Sequence, residues 1–260
     1  MDAAILAVGS EMLTPQRVDT NSLYITDHLN ARGVEVLFKM VVGDNRDHLV
    51  HAMQYAMERV DLLFVSGGLG PTEDDLTRDA VAQLCGRPLL FSQEICGWIE
   101  QRFARMKRTM AEVNKRQAYV VEGATVMPND RGTAPGQWVE QKGRHIVLLP
   151  GPPHELKAMF EGQCLPKLDS LLPPQVIRTR FYRVAGMGES DLDQLIAPVY
   201  CKYTNPATTI LAGAGDIQIH LRARCQTGEE AEALLAAAGD PIADLLGDRI
   251  YSRNGDSLEA

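Results

Sequence analysis

Apolar residues follow two rhythms along the first 170 positions, and their alternation predicts the architecture. AAILAVG (3–9) is a short unbroken run ending in glycine, DLLFVSGG (61–68) and RHIVLLPG (144–151) carry similar apolar runs, as buried parallel strands require, and VEVLFKMVVGD (34–44) reads as a further strand. Between them the spacing is helical. Leu23, Ile25 and Leu29 share one face of 21–33, which ends at Gly33, and Leu49, Met53, Ala56, Met57 and Val60 share one face of 48–60. Further helices are predicted from about Leu76 to Cys85, over 93–113 on Ile95, Trp98, Ile99, Phe103, Met106, Met110 and Val113, and from Pro152–Pro153 onward. Strands alternating with helices give a doubly wound, mostly parallel α/β sheet in a three-layer sandwich.

The rhythm changes at SLLPPQ (170–175). Beyond it VIRTRFYRVAG and DIQIHLRARC alternate as half-buried strands do, and 229–248 is helical around one proline break. The expected division is 1–172, a nucleotide-type α/β domain, and 173–260, a small α+β domain. No repeat or low-complexity stretch interrupts either part.

Charge and composition narrow the function. A net charge of -8 over 260 residues gives no support for bulk nucleic-acid binding, although an acidic chain can carry a local basic site for one small anion. Five scattered cysteines without a CxxC pair read as reduced thiols of a cytoplasmic protein. The N-terminus lacks the basic and apolar regions of a signal peptide, and no run is long enough to span a membrane.

In an open parallel sheet, ligands bind beyond the carboxyl ends of the strands. The predicted strand ends carry Gly9-Ser10-Glu11, Gly43-Asp44-Asn45, SGGLGPTEDDLT (66–77) and PGPPHE (150–155), each combining glycine with polar or acidic groups. Gly67, Gly68 and Gly70 allow close backbone approach to a ligand. Thr72 and Asp75 have capping-box spacing, which predicts a helix start near Glu73 with N–H groups facing an anion. Thr72 and the acids then either merely cap that helix or also face a ligand. A cap needs one carboxylate, so Asp74 and Asp75, with Asp44, form a candidate set for Mg²⁺ between protein and phosphates; a plain turn is the other reading of Asp44. Glu155 reads first as a helix-start acid, His154 as a surface residue, and NDRGTAPG (129–136) as a turn or a contact to a ribose or base. The basic cluster from Arg102 to Arg116 reads mostly as a solvated face, with Lys115 or Arg116 a candidate diphosphate counter-ion.

AVGSEML, DTNSLYITDHLNARG, VVGDN, SGGLGPTEDDLTRDAV, NKRQAYVVEGATVMPNDRGTAPG and LLPGPPHELKAMF, in that order, resemble the CinA family (competence/damage-inducible protein A) and its molybdopterin-binding-like domain. GMGESDLDQLI and GDRIYSRNGDSLE are similar to its small middle domain. The resemblance implies an ADP-ribose pyrophosphatase dependent on Mg²⁺ or Co²⁺ and stimulated by K⁺, forming AMP and ribose 5-phosphate. Asp44 and Asp75 match essential aspartates of related pterin enzymes, and the paired acid at Asp74 is the CinA version. Asp44, Asp74 and Asp75 are expected to hold the metal. Gly67, Gly68, Gly70, Pro71 and Thr72 are expected at the diphosphate. Gly9, Ser10, Glu11 and Asn21 are expected to line the rim, with Gly132, Thr133, Ala134, Gly151, Pro152, Pro153 and Glu155 closing over the nucleotide. The family's amidohydrolase domain, marked by an AESCTGG-like stretch, is not among these residues, so amidase activity is not carried over. The expected assembly is a homodimer or other homo-oligomer. Two rival readings are a molybdopterin-adenylylating protein and a non-catalytic nucleotide-binding module.

Overall fold

A computed structural model describes residues 1–173, 175–213 and 215–254; Pro174 and the last residues of the GDRIYSRNGDSLE motif lie outside them. The chain divides into two compact units, Met1–Leu172 and Pro173–Ala260.

The first unit is a three-layer α/β sandwich. Its strands are β1 (Asp2–Val8), β2 (Glu35–Val42), β3 (Leu62–Ser66), β4 (Leu89–Phe91), β5 (Tyr119–Val121), β6 (Thr125–Met127), β7 (Gly136–Gln141) and β8 (Arg144–Leu149). Its helices are α1 (Thr20–Ala31), α2 (Arg46–Met57), α3 (Thr77–Cys85), α4 (Gln93–Arg105), α5 (Pro153–Met159) and α6 (Leu165–Leu171). The main sheet has the order β2-β1-β3-β8-β7-β6, parallel from β2 through β8 and antiparallel beyond. β4 and β5 form a separate antiparallel pair.

The unbroken apolar runs are explained by two cores, one on each sheet face. Ala4, Leu6, Val8, Leu63, Val65, Ile146 and Leu148 point toward α2 and α3, where Leu49, Met53 and Val81 meet them. The alternate residues Ala3, Ile5, Leu62, Phe64, Val147 and Leu149 meet Ile25, Leu29, Leu156 and Phe160 on the other face. Leu23 faces outward, 58% exposed, because the inward stripe of α1 is carried by Ile25 and Leu29.

Two expected helices differ. The helix expected over 93–113 ends at Arg105, and Lys107 follows with φ 56 before a 3₁₀ segment over Glu112–Ala118. The helix expected from about Leu76 to Cys85 runs over Thr77–Cys85, and the earlier start near Glu73 suggested by the Thr72–Asp75 spacing does not form; the helix has no side-chain cap. β6, β7 and the β4–β5 pair, which short and mixed sequences did not announce, extend the sheet and fill out its edge.

The second unit contains β9 (Val176–Val184), α7 (Glu189–Tyr200), β10 (Ala207–Ala212), β11 (Ile217–Cys225), α8 (Gly228–Leu246) and β12 (Ile250–Ser252). Its antiparallel sheet runs β10-β11-β9-β12, a ferredoxin-like βαββαβ arrangement with Tyr182, Val184, Ile219 and Leu221 packed on α7 and α8. The capping box of Thr227 and Glu230 starts α8. The helix runs on through Pro241 rather than breaking there. Proline cannot donate to the carbonyl four residues back, and the Tyr203 hydroxyl takes that place, donating to Ala237 O at 3.1 Å.

Candidate functional site

The ends of β1, β3 and β8 open into one cavity of about 540 Å³, within the size range of small-molecule sites. Gly9, Glu11 and Asn21 line it, as do Asp44, Gly67, Gly68, Gly70, Thr72, Asp74 and Asp75. Thr133, Ala134, Gly151, Pro152, Pro153 and Glu155 complete the opposite wall. Three expected residues stand elsewhere. Ser10 sits behind Asp44: its N–H donates to Asp44 Oδ2 at 2.7 Å and its Oγ accepts from Asp44 N at 3.1 Å. Pro71 does not line the cavity, and Gly132 faces a second one.

The glycine loop owes its shape to its own packing. Gly67 has φ 101, and a Cβ there would lie 2.4 Å from Val8 O. A Cβ on Gly70 would lie 2.4 Å from Asp75 Oδ2. Asp75 faces inward on the loop. It accepts from Gly70 N and Thr72 N, each at 2.8 Å, and its Oδ2 lies 2.5 Å from Thr72 Oγ1, whose single proton is shared with Asp74. Two of the N–H groups expected for a diphosphate, those of Gly70 and Thr72, therefore already serve a carboxylate. Residues 72–75 form a turn in which Asp75 N donates to Thr72 O at 3.2 Å.

Arg78 holds the loop from beneath, and nothing in the sequence periodicity announced it. Its side chain is buried, 4% exposed, with Nη1 donating to Leu69 O at 2.6 Å and Nη2 to Gly70 O at 2.9 Å. Burial pulls its pKa down, and the neighbouring Asp75 and Asp79 oppose that shift. Thr77 adds a bond from Oγ1 to Gly67 O at 2.8 Å. The start of α3 is thus spent on the loop's carbonyls.

The remaining acids differ from one another. Asp74 accepts from the Thr72 hydroxyl, and this bond holds its carboxyl below the usual range, so it is charged at neutral pH. Glu73 points away, accepting from Arg116 Nη2 at 2.9 Å, and Lys115 pairs with Glu112 at 2.8 Å. Both expected diphosphate counter-ions are therefore occupied by glutamates. Among the described residues, no group of three or more His, Cys, Asp and Glu stands close enough to enclose a metal ion. Of the three expected ion ligands, Asp44 and Asp74 line the cavity with Asp75, and Asp75 is engaged by the loop's own N–H groups.

Asn21 joins the strand ends: its Nδ2 donates to Ser66 Oγ at 3.0 Å and Gly151 O at 2.8 Å. Because Gly151 O can only accept, this fixes the amide orientation, and Oδ1 is left buried and unpaired. Glu155 is 15% exposed at its side chain, accepts from Asn129 Nδ2 at 2.7 Å, and so pins the 129–134 loop. Arg17, Asp19, Thr20 and Gln117 also line the cavity, and sequence patterning gave no sign of them.

With this geometry in place, comparison with known proteins is decisive. The family model described as probable molybdopterin binding domain matches residues 4–170, and damage-inducible protein CinA KH domain matches 179–252. The chain belongs to the CinA family. It is 67% identical over 259 residues to a CinA-like protein of Solibacter usitatus (strain Ellin6076), and 48% identical over 263 residues to one of Koribacter versatilis (strain Ellin345). Each alignment covers 100% of this chain, but 62% and 64% of those relatives. The crystal structure of a CinA protein of unknown function from Thermoplasma acidophilum superposes with a TM-score of 0.60 at 30% identity, covering 64% of this chain and 96% of that one. The CinA-family membership accounts for both units of the chain. Among the described residues no helix is long and apolar enough to cross a membrane.

Proposed function

We propose that this CinA-family chain is a metal-dependent nucleotide pyrophosphatase that splits ADP-ribose into AMP and ribose 5-phosphate. The observation that supports this reading is the grouping of Asp44, Asp74 and Asp75 with the glycine loop in one cavity at the strand ends. In the reaction, a water oxygen bonds to one phosphorus as that phosphorus loses its bridging oxygen. The two water protons pass to bulk solvent, and the departing phosphate carries the bridging oxygen. Asp44 and Asp74 are the residues that would hold Mg²⁺ or Co²⁺; bound there, the ion supplies charge neutralisation to the diphosphate. Asp75 acts on the loop, setting which backbone groups face the ligand. Asn21 ties the ends of β3 and β8 together at the cavity through Ser66 and Gly151.

The test is AMP release from ADP-ribose by the purified chain with Mg²⁺ or Co²⁺, with and without K⁺, against an EDTA control. Metal-dependent AMP upholds the reading. Tight nucleotide binding without AMP under any of these conditions overturns it and leaves a receptor.

A second reading rests on the description of the matching family model: a molybdopterin ligand in the same cavity, with adenylate transferred to it. ATP-dependent adenylylation of molybdopterin in the absence of ADP-ribose hydrolysis would favour it. The exposed Leu23, Leu37 and Val41, on α1 and the edge strand β2, support a homo-oligomer, which sedimentation would measure. The free state of all five cysteines supports a cytoplasmic location.

A further inference from the structure

A second cavity of about 390 Å³ lies between α4 and the 128–135 loop, and its walls have a chemistry of their own. Trp98, Arg102 and Arg105 fall at positions i, i+4 and i+7 of α4, so they share one side of the helix. That side faces the cavity, where all three line the wall. Trp98 is 39% exposed and, among the described residues, makes no ring–ring or cation–π contact, although its place in the apolar spacing predicted a core position. Ile95, Ile99 and Pro135 supply apolar surface beside it.

The cations are not consumed by partners. Arg102 spends one N–H on Asp130 O at 2.9 Å, and Arg105 forms no ion pair among the described residues. Against these two charges the cavity sets one acid, Asp130, so its balance is positive on an acidic chain. Two guanidinium forks suit a phosphate, and an open indole face suits a flat ring. The Gln101 amide adds a group able to bond the edge of that ring.

We propose that this cavity is a second ligand site that takes a nucleoside monophosphate, its base on Trp98 and its phosphate on Arg102 and Arg105. The cavity's small size and single aromatic platform argue for one nucleotide, since strand binding needs a continuous basic groove with repeated aromatic platforms. The site is distinct from the aspartate cavity and goes beyond the pyrophosphatase reading; neither depends on the other. The two cavities share Thr133, which lines both, so an occupant here touches a wall of the aspartate cavity.

Trp98 and Trp138 are the two tryptophans of the chain, and Trp138 is 2% exposed, so Trp98 is a built-in reporter. The experiment is titration of the purified chain with AMP, without metal, read by tryptophan fluorescence. A saturable change is expected, weakened at least tenfold by Arg105→Ala or Arg102→Ala and abolished as a signal by Trp98→Phe. Adenosine should bind at least tenfold more weakly than AMP. The Asp75→Asn variant, altered only in the other cavity, should respond as the parent does. No saturable change, or an unaltered response in both arginine variants with unchanged circular dichroism, overturns the proposal. A response lost in Asp75→Asn also overturns it, by assigning the signal to the aspartate cavity. A single-stranded oligonucleotide binding more tightly per site than AMP would replace the nucleotide by a strand. None of these measurements uses turnover, so the hydrolase reading can fail while this one stands.

Discussion

Replacing Asp75 by Asn tests whether the acids of the glycine loop act on the ion or on the loop. In the structure the two carboxylate oxygens accept from Gly70 N and Thr72 N, each at 2.8 Å. An asparagine keeps one acceptor and turns an NH₂ toward the other N–H, so one charge-assisted bond is lost and a donor faces a donor. Such a bond contributes about 1.5–3 kcal/mol. Asp75 is only partly buried, so the lower end applies, and about 1.5 kcal/mol is somewhat more than a tenfold shift in the population of the ordered loop. Arg78 and Thr77 still hold the carbonyls of Gly67, Leu69 and Gly70, which keeps the damage local.

Two assays separate the possibilities. AMP release from ADP-ribose should fall at least tenfold in Asp75→Asn, while the thermal midpoint stays within a few degrees of the parent. Raising Mg²⁺ tenfold should not restore the rate if Asp75 shapes the loop. Full recovery at high Mg²⁺ would refute that role and make Asp75 an ion ligand. Turnover within twofold of the parent would refute both.

Arg78→Lys should destabilise the first unit by about 2–3 kcal/mol, because an ammonium cannot bridge the Leu69 and Gly70 carbonyls as the planar fork does; a urea midpoint unchanged from the parent would refute this. Gly132→Ala places a Cβ 1.8 Å from Glu155 Oε2, so Glu155 must leave Asn129; we expect about 1–3 kcal/mol of lost stability by urea unfolding, and less than 0.5 kcal/mol would be contrary. Burial lowers the pKa of His145, and its Nδ1 accepts from Trp138 Nε1 at 3.2 Å, so the folded chain holds it neutral. The unfolded chain takes up that proton first as pH falls, so stability should decline below about pH 6.5, and His145→Phe should flatten that decline in urea midpoints between pH 7.5 and 5.5. Burial pushes the Cys164 thiol well up and Cys201 is exposed, so a thiol reagent on the native chain should label Cys201 and spare Cys164, as peptide mapping would report.

Which features could be read from the sequence depends on how far away their cause lies. β1, β3 and β8 were legible because burial on both faces leaves their central residues, Ala3–Val8, Leu62–Val65 and Ile146–Leu149, wholly apolar. The end of α4 was not, since Met110 and Val113 continue the apolar spacing past Arg105 and the chain departs through Lys107 at φ 56. Trp98 fitted the same spacing and still faces a cavity, because the 128–135 loop stands off from α4 there. Periodicity records which side of a helix is apolar, and it does not record whether a neighbour fills the space.

The aspartates show the same limit at shorter range. Glycines followed by three carboxylates marked the right place, since Gly67, Gly68, Gly70, Thr72, Asp74 and Asp75 line the cavity at the strand ends, while Glu73 turns away to Arg116. Their division of labour was hidden. Capping-box spacing at Thr72 and Asp75 suggested a helix start, yet the same pair closes a turn, because α3 is displaced to Thr77. That displacement lets Arg78 reach back to the carbonyls of Leu69 and Gly70. A buried cation below the loop and a carboxylate within it fix its carbonyls and N–H groups in turn. Asp44 and Asp74 stand on the rim of a surface already made rigid by other charges. Close spacing of acids in a sequence is therefore weak evidence for a shared ion: the nearest donors, here Gly70 N and Thr72 N, claim the first carboxylate before any ligand arrives.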